Sequence, residues 1–274
     1  MFNIRLGAEL IPNLSIKPPN KRKVTVLAID LKSISKNVAK PPRIAIYGPP
    51  GIGKTTFAAG SPNPVFILTE DGLGDLEVSH FPVCATFEEV LECLATLGKE
   101  DHDFKTVVID SLDALEPMVW AATCKRLGVA SIETPGYGKG YIEAQTEWKT
   151  LFSYITALRD EKGLTSIIIA HGAFVHVEDP EHPAYDTNAL KLNKRAAAMT
   201  TEYCDVVGFA SLKMFTKLDE TASKEKRARA IATQERILRL SASPAFVAKN
   251  RYHMPEVCPL AWDEFAKYLP NGGN

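Results

Sequence analysis

The stretch Gly48-Pro-Pro-Gly-Ile-Gly-Lys-Thr55 constrains this chain more than any other. Its glycines let the backbone turn through positive φ and keep side chains away from a surface of N–H groups. A lysine and a hydroxyl follow directly, in the spacing G-x-x-x-x-G-K-[ST] of a phosphate-binding loop. Such a loop needs a strand to deliver it and a helix to start from it. Both flanks comply: Arg43-Ile-Ala-Ile-Tyr47 is a short apolar strand, and Thr55-Thr-Phe-Ala-Ala59 opens a helix whose N-terminal dipole faces an anion. Gly48, Pro49, Pro50, Gly51, Ile52, Gly53, Lys54, Thr55 and Thr56 are therefore the expected cradle for a nucleoside triphosphate, with ATP and Mg²⁺ as cofactors. Lys54 reaches the β- and γ-phosphates in this reading, and the Thr55 hydroxyl ligates the metal. A surface glycine turn is the bland alternative, and the flanking strand and helix count against it.

From residue 43 onward the chain alternates strand and helix patterns. Val65-Phe-Ile-Leu-Thr69, Thr106-Val-Val-Ile-Asp110 and Thr165-Ser-Ile-Ile-Ile-Ala170 are short apolar runs, while residues 86–97, 112–127 and 141–161 read as helices. Continuously apolar strands separated by helices imply an α/β fold with a mainly parallel sheet covered on both faces. Past Cys204 the character changes. Residues 205–211 and 236–240 read as strands around a charged stretch, 217–229, expected to be a hairpin tip or loop, with a further strand at 245–249 and a last helix at 261–269. Residues 1–40, with Pro18-Pro19, Lys21-Arg22-Lys23 and Pro41-Pro42 at the boundary, read as an N-terminal arm or small subdomain, leaving 41–274 for the main domain.

Composition excludes several function classes. Lys and Arg total 32 against 33 Asp and Glu, so any nucleic-acid contact must rest on a local basic surface. The five scattered cysteines never form a C-x-x-C pair, which argues for a reducing cytoplasm and against a zinc site or disulfide framework. No apolar run is long enough to span a bilayer, and Arg5 and Glu9 interrupt the N-terminus too early for a signal peptide. His176 and His182, with no cysteines nearby, make a poor metal site.

Asp110 ends an apolar strand about 55 residues beyond the loop, the form expected of a carboxylate that holds Mg²⁺ opposite Thr55. Ser111 follows it where a glutamate would have served as water-activating base, so the base lies elsewhere. Glu70 is the best candidate, because it stands just past the strand 65–69, at the end where ligands gather on an open parallel sheet. Asp71 is its rival, and a solvated loop carboxylate is the bland alternative.

Phosphate loop, Glu70 after the next strand, a strand ending Asp110-Ser111 and a later strand ending Ala170-His171 together resemble a RecA-type ATPase core. The nearest likeness is to the phage RecA-like P-loop ATPases, the AAA_24-type phage nucleotide-binding proteins, which include RecA-like single-strand-annealing proteins. It runs from about residue 43 to 269. The resemblance implies a RecA-like P-loop NTPase core with antiparallel strands or a hairpin at the C-terminal side. It implies that His171, where RecA has Gln, senses the γ-phosphate and relays to a DNA-binding loop. Lys249-Asn-Arg251 is similar to an element of RadA-type and hexameric-helicase cores whose Lys and Arg reach into the neighbouring subunit's nucleotide site, although Tyr252-His253 replaces the family's Phe-Gly. It therefore implies a homo-oligomer, ring or filament, with shared active sites.

Two DNA-contacting loops are expected from the same topology. Residues 128–141 offer Tyr137 for stacking and Lys139 for phosphate, between glycines that keep the loop pliant. Residues 172–200, expected to be long and loop-like, carry Lys191, Lys194 and Arg195, which a helical face would align along a backbone. A solvated face explains those charges equally well. The resemblance thus points to a cytoplasmic, phage-type ATPase of DNA recombination that binds single-stranded DNA and promotes annealing or strand exchange, with a single-strand-binding protein as a plausible partner. A P-loop switch acting on protein partners is the alternative. A small-molecule kinase fits less well, because residues 217–229 read as a hairpin tip better than as an arginine-rich lid.

Overall fold

A computed structural model describes residues 34, 36, 38–181, 183–218 and 228–270, without the side chains of residues 215–232. The chain divides into residues 1–38 and 39–274, and its strands and helices, among the described residues, belong to the second unit. The expected N-terminal arm with Lys21-Arg22-Lys23, His182 and the tip of the charged stretch lie outside the described residues.

Strand β1 (Arg43–Gly48) ends in the phosphate loop, and α1 (Lys54–Ala59) leaves it. Then come β2 (Pro64–Leu68), the short β3 (Ser79–His80), α2 (Phe87–Lys99), β4 (Thr106–Asp110) and α3 (Leu112–Leu127). Thr86 caps α2 by accepting the Glu89 N–H at 3.2 Å, while the Glu89 carboxylate accepts the Ala85 N–H at 2.6 Å, an exchange that satisfies two otherwise orphaned donors. α4 (Lys139–Glu143) and α5 (Gln145–Ala157) precede the long β5 (Thr165–Val177). β6 (Tyr185–Leu190), α6 (Lys194–Tyr203), β7 (Val206–Leu218), β8 (Ala228–Arg239), β9 (Lys249–Asn250), β10 (Val257–Pro259) and α7 (Trp262–Ala266) complete the unit.

The main sheet runs β10-β8-β7-β1-β5-β4-β2-β3. Its six strands from β7 to β3 are parallel, and β8 and β10 extend it antiparallel at the C-terminal side. Alternate residues of the central strands face opposite layers. Ala45, Tyr47, Val107, Ile109, Ile168 and Ala170 join the core under α2, α3 and α5. Ile44, Ile46, Val108, Ile167 and Ile169 join the core under α1 and α7, where Phe57 meets Trp262 and Phe265 edge-on at 5.6 and 5.4 Å. Burial on both faces is why these strands read as unbroken apolar runs. The expected α/β class, with its parallel sheet, two helical layers and antiparallel C-terminal strands, is what the chain adopts.

Three local expectations are corrected. Residues 172–200 are not a long loop: β5 continues to Val177, turns back antiparallel as β6 in the register Gly172↔Leu190 to Val177↔Tyr185, and leads into α6. Polar residues there alternate on a two-stranded ribbon, a pattern easily taken for loop. Residues 128–141 are loop only in part: 128–138 run through turns and bends, and the end of the stretch is helical. Gly128 closes α3 in the left-handed conformation, and Lys139 and Tyr141 already belong to α4. The Tyr141 ring meets Trp120 edge-on at 5.5 Å, and its hydroxyl donates to Glu133. The strand expected at 245–249 shrinks to Lys249–Asn250, with Phe246 making only isolated bridges.

Candidate nucleotide site

The site forms because β5 lies between β1 and β4. Gly48 pairs with His171 on β5, and Asp110 on β4 pairs with Ile169, so loop, histidine and aspartate leave the same end of adjacent strands. Gly48 has no alternative at its position, since a Cβ there would run into the Ala210 carbonyl oxygen on β7. Gly51 and Gly53 take φ of 72° and 104°, a region that only glycine enters without strain. Ile52 sinks its side chain into the core and anchors the loop from beneath.

Lys54 is buried, with Nζ donating to Gly48 O at 3.1 Å and Pro49 O at 3.0 Å. Burial pushes its pKa down, while the charges of Asp110, Asp113 and Glu70 oppose the shift. Thr55 Oγ1 donates to Asp110 Oδ2 at 2.8 Å. Burial raises the Asp110 carboxyl; the Thr55 hydrogen bond works against that, and the charge of Glu70 adds to it. A divalent cation beside the Thr55–Asp110 pair would relieve both burial and carboxylate repulsion. The donor set fits the cofactors: an ammonium and glycine amides for phosphates, a hydroxyl and a carboxylate for Mg²⁺.

Glu70 stands one strand away. Thr69 Oγ1 donates to Ser111 O at 2.7 Å and accepts the Ser111 N–H at 2.8 Å, stitching the ends of β2 and β4 together. Ser111 Oγ then donates to Glu70 Oε1 at 2.7 Å and orients the carboxylate. Asp71 is exposed, and among the described residues nothing orients it in this way. Glu70, Asp110 and His171 line one cleft of about 340 Å³ with Gly51, Gly53, Lys54, Thr55 and Thr56, a volume suited to a small anionic ligand.

Two further residues bear on the site without a signal in the sequence pattern: Asp113, behind His171, and Arg236, in the cleft. Asp113 sits in the first turn of α3, where it accepts the His171 N–H at 2.8 Å and pairs with His171 Nδ1 at 2.7 Å. Burial acts to raise the Asp113 carboxyl, but the two hydrogen bonds from His171 outweigh it and hold it below the ordinary value. Its spacing from Asp110 does not announce that partner. One turn on, Glu116 accepts the Asn193 N–H on both oxygens at 2.9 and 3.0 Å, and burial pushes its pKa up to about 7. Arg236 enters the cleft from β8, with no local signal in the sequence.

The other expected residues lie elsewhere. Tyr137 is fully exposed at φ 49°, Lys139 is exposed beside it, and neither lines the cleft. Lys194 and Arg195 begin α6, Lys191 lies three residues before it, and none of the three lines the cleft. His176 pairs across the β5–β6 hairpin with Asp186 at 3.0 Å.

Lys249 and Arg251 stand at the opposite end of the sheet from their own chain's loop. β9 pairs with Val206 and Val207, which face Ile44 and Ala45 at the start of β1. Lys249 Nζ donates to the carbonyls of Thr201 and Glu202, both at 2.8 Å. Arg251 Nη1 donates to Asp205 Oδ1 at 3.0 Å. Asp205 is buried and also takes Arg43, bidentate at 3.1 and 2.9 Å, and Arg159 at 3.4 Å. Burial acts to raise its carboxyl, and the hydrogen bonds and charge of Arg43 outweigh that, with Arg159 adding, so the pKa falls below the ordinary value. Asp205→Ala leaves three guanidinium groups short of a partner and should destabilise the fold by about 3–5 kcal/mol, read as a lower urea midpoint at pH 7. The contribution of a depressed carboxyl is present above the unfolded value, near pH 4, and lost as pH falls. The gap between wild type and variant should therefore close in acid; a gap that persists there refutes the assignment.

One family model, AAA_24, described as an AAA domain, matches residues 40–252. The chain belongs to this AAA-domain family. The matched span includes the phosphate loop, Glu70, Asp110, His171 and Lys249-Asn-Arg251. Among solved structures, the crystal structure of the RadB recombinase is similar to this chain at a TM-score of 0.45 and 15% identity, covering 80% of this chain and 84% of that one. Comparison with curated proteins gave no match.

Proposed function

We propose that this AAA domain binds and hydrolyses ATP with Mg²⁺, and that it is a RecA-like protein of phage DNA recombination that binds single-stranded DNA and promotes annealing or strand exchange as an oligomer. In this reading Lys54 and the loop amides hold the phosphates, Thr55 and Asp110 hold the metal, and Glu70 orients the attacking water. His171, paired with Asp113, senses the γ-phosphate.

The observation that carries the DNA half is a backbone bond. The Lys191 N–H donates to the carbonyl of His171 at 2.9 Å, so the histidine facing the cleft is joined to the residue that begins the basic cluster. Lys194 and Arg195 then occupy the first turn of α6. Cations there oppose the helix dipole, each by a few tenths of a kcal/mol, so helix stability does not account for them, which favours an external anion as their partner. Lys191, Lys194 and Arg195 are the proposed phosphate contacts, with Tyr137 and Lys139 a second contact. Lys249 and Arg251, remote from their own loop, complete the neighbour's site in the oligomer. A single-strand-binding protein is a further proposed partner. Among the described residues no helix is long and apolar enough to cross a membrane, and we place the protein in the cytoplasm of a bacterial host.

The test is ATP turnover and particle size with and without oligo-dT at low salt. Turnover should rise with oligo-dT, larger assemblies should form, and affinity should fall steeply as salt increases, with a slope reporting the phosphates neutralised. Turnover and size indifferent to oligo-dT would defeat the recombination reading and favour the P-loop switch acting on protein partners, which the near-neutral charge of −1 already allows.

A further inference from the structure

Among the described residues, Arg236 is the one cleft residue that comes from the antiparallel part of the sheet. Its guanidinium lies against the phosphate loop: a Cβ built on Gly53 would stand 2.9 Å from Arg236 Nη1 and 3.7 Å from its Cδ. Gly53 is thus the glycine that leaves room for this arginine, next to the lysine that reaches for phosphate.

Several features show that the placement is built into the fold. Leu212 pairs with Arg236 and Met214 with Ala232, so a single residue of β7, Lys213, faces three of β8, residues 233–235. This irregularity ends directly at Arg236, and such bulges re-aim side chains beside functional sites. It is closed by Thr233 Oγ1 donating to Lys213 O at 3.0 Å and by Lys213 Nζ with Glu235 Oε2 at 2.7 Å. On the next strand side, the Arg236 carbonyl accepts the Leu260 N–H at 3.0 Å, and Leu260 Cδ2 approaches the same Gly53 position at 3.8 Å. Arg43, Arg126, Arg159 and Arg251 each meet a carboxylate. Among the described residues no carboxylate pairs with Arg236. This guanidinium therefore stands beside the phosphate loop and the Lys54 ammonium with its donors open to an entering anion.

We propose that Arg236 is a phosphate ligand supplied by the chain's own β7–β8 hairpin, so that bound nucleotide clamps this hairpin onto the phosphate loop. The proposal rests on the reading of residues 48–55 as the nucleotide site. A guanidinium offers two parallel donors to a phosphate, which a lysine replaces only as a point charge. Occupancy of the site is then felt by β8 directly, without passing through His171.

The experiment measures the affinity of Mg²⁺ with ADP and with the non-hydrolysable analogue AMP-PNP by calorimetry, for wild type, Arg236→Ala, Arg236→Lys and Lys54→Ala. It also follows amide exchange over residues 233–239. Arg236→Ala should lose roughly 10–100-fold in affinity, and Arg236→Lys should recover part of it. AMP-PNP should slow exchange over 233–239 in wild type and not in Arg236→Ala. Loss confined to AMP-PNP assigns the contact to the γ-phosphate, and equal loss with ADP assigns it to the inner phosphates. Unchanged affinity of Arg236→Ala for both nucleotides overturns the proposal and leaves the loop assignment standing. A lysine variant as weak as the alanine variant assigns the loss to packing against Gly53 and also overturns it. Undiminished binding by Lys54→Ala, or none by wild type, removes the loop assignment and this proposal with it.

Discussion

Lys54→Ala is expected to lower nucleotide affinity by roughly 10²–10⁴-fold, because two or more charge-assisted hydrogen bonds, each worth about 1.5–3 kcal/mol, disappear together. The effect is this large because the ammonium is already aimed. Gly48 O and Pro49 O hold Nζ across the loop at 3.1 and 3.0 Å, so the side chain is ordered before any phosphate arrives. Little conformational entropy remains to be lost on binding. The variant also strips a positive charge from a cleft containing Asp110 and Glu70, so the raised Asp110 carboxyl should rise further and metal binding should weaken with nucleotide. Calorimetry on the folded variant decides the matter. Affinity for ATP within about threefold of wild type, well under the loss of one charge-assisted bond, would show that residues 48–55 are not the nucleotide site.

Glu70→Gln should separate binding from turnover. Hydrolysis should fall by roughly 10²–10⁴-fold, the contribution typical of a positioned general base, while ATP affinity stays within a few-fold of wild type. The amide is nearly the shape of the carboxylate and can still accept the Ser111 hydroxyl, which donates to Glu70 Oε1 at 2.7 Å. What it cannot do is take a proton from water. Single-turnover measurements with equilibrium binding on the same samples distinguish the two effects. Normal turnover by this variant would move the base to Asp71 or to another residue of the cleft.

The parallel sheet was legible because its strands are buried on both faces and so carry unbroken β-branched runs; Val107-Val-Ile109 and Ser166-Ile-Ile-Ile169 admit few other readings. α3 spans the expected 112–127, since an acidic first turn and Gly128 after its last turn mark both ends. The β5–β6 hairpin was not legible. It leaves the sheet and exposes much of both faces, so Phe174 and Val175 are exposed and no burial pattern remains to announce a strand. Tyr141 failed in the opposite direction: a residue expected in a free loop packs against Trp120, a contact that no local pattern encodes.

The sequence by itself determined the local chemistry of the loop, because glycines, Lys54 and Thr55 act within a few residues of one another and φ, reach and hydroxyl position are local properties. It also determined the parallel α/β class, because burial of both sheet faces writes itself into each strand. Only the tertiary structure decided the company those residues keep. β5 had to lie between β1 and β4 before His171 could face the cleft with Asp113 behind it, β2 had to pair with β4 before Ser111 could orient Glu70, and β8 had to fold back before Arg236 could reach Gly53. These contacts join residues far apart in the chain, and their free energy depends on strand order and register, which no single segment carries.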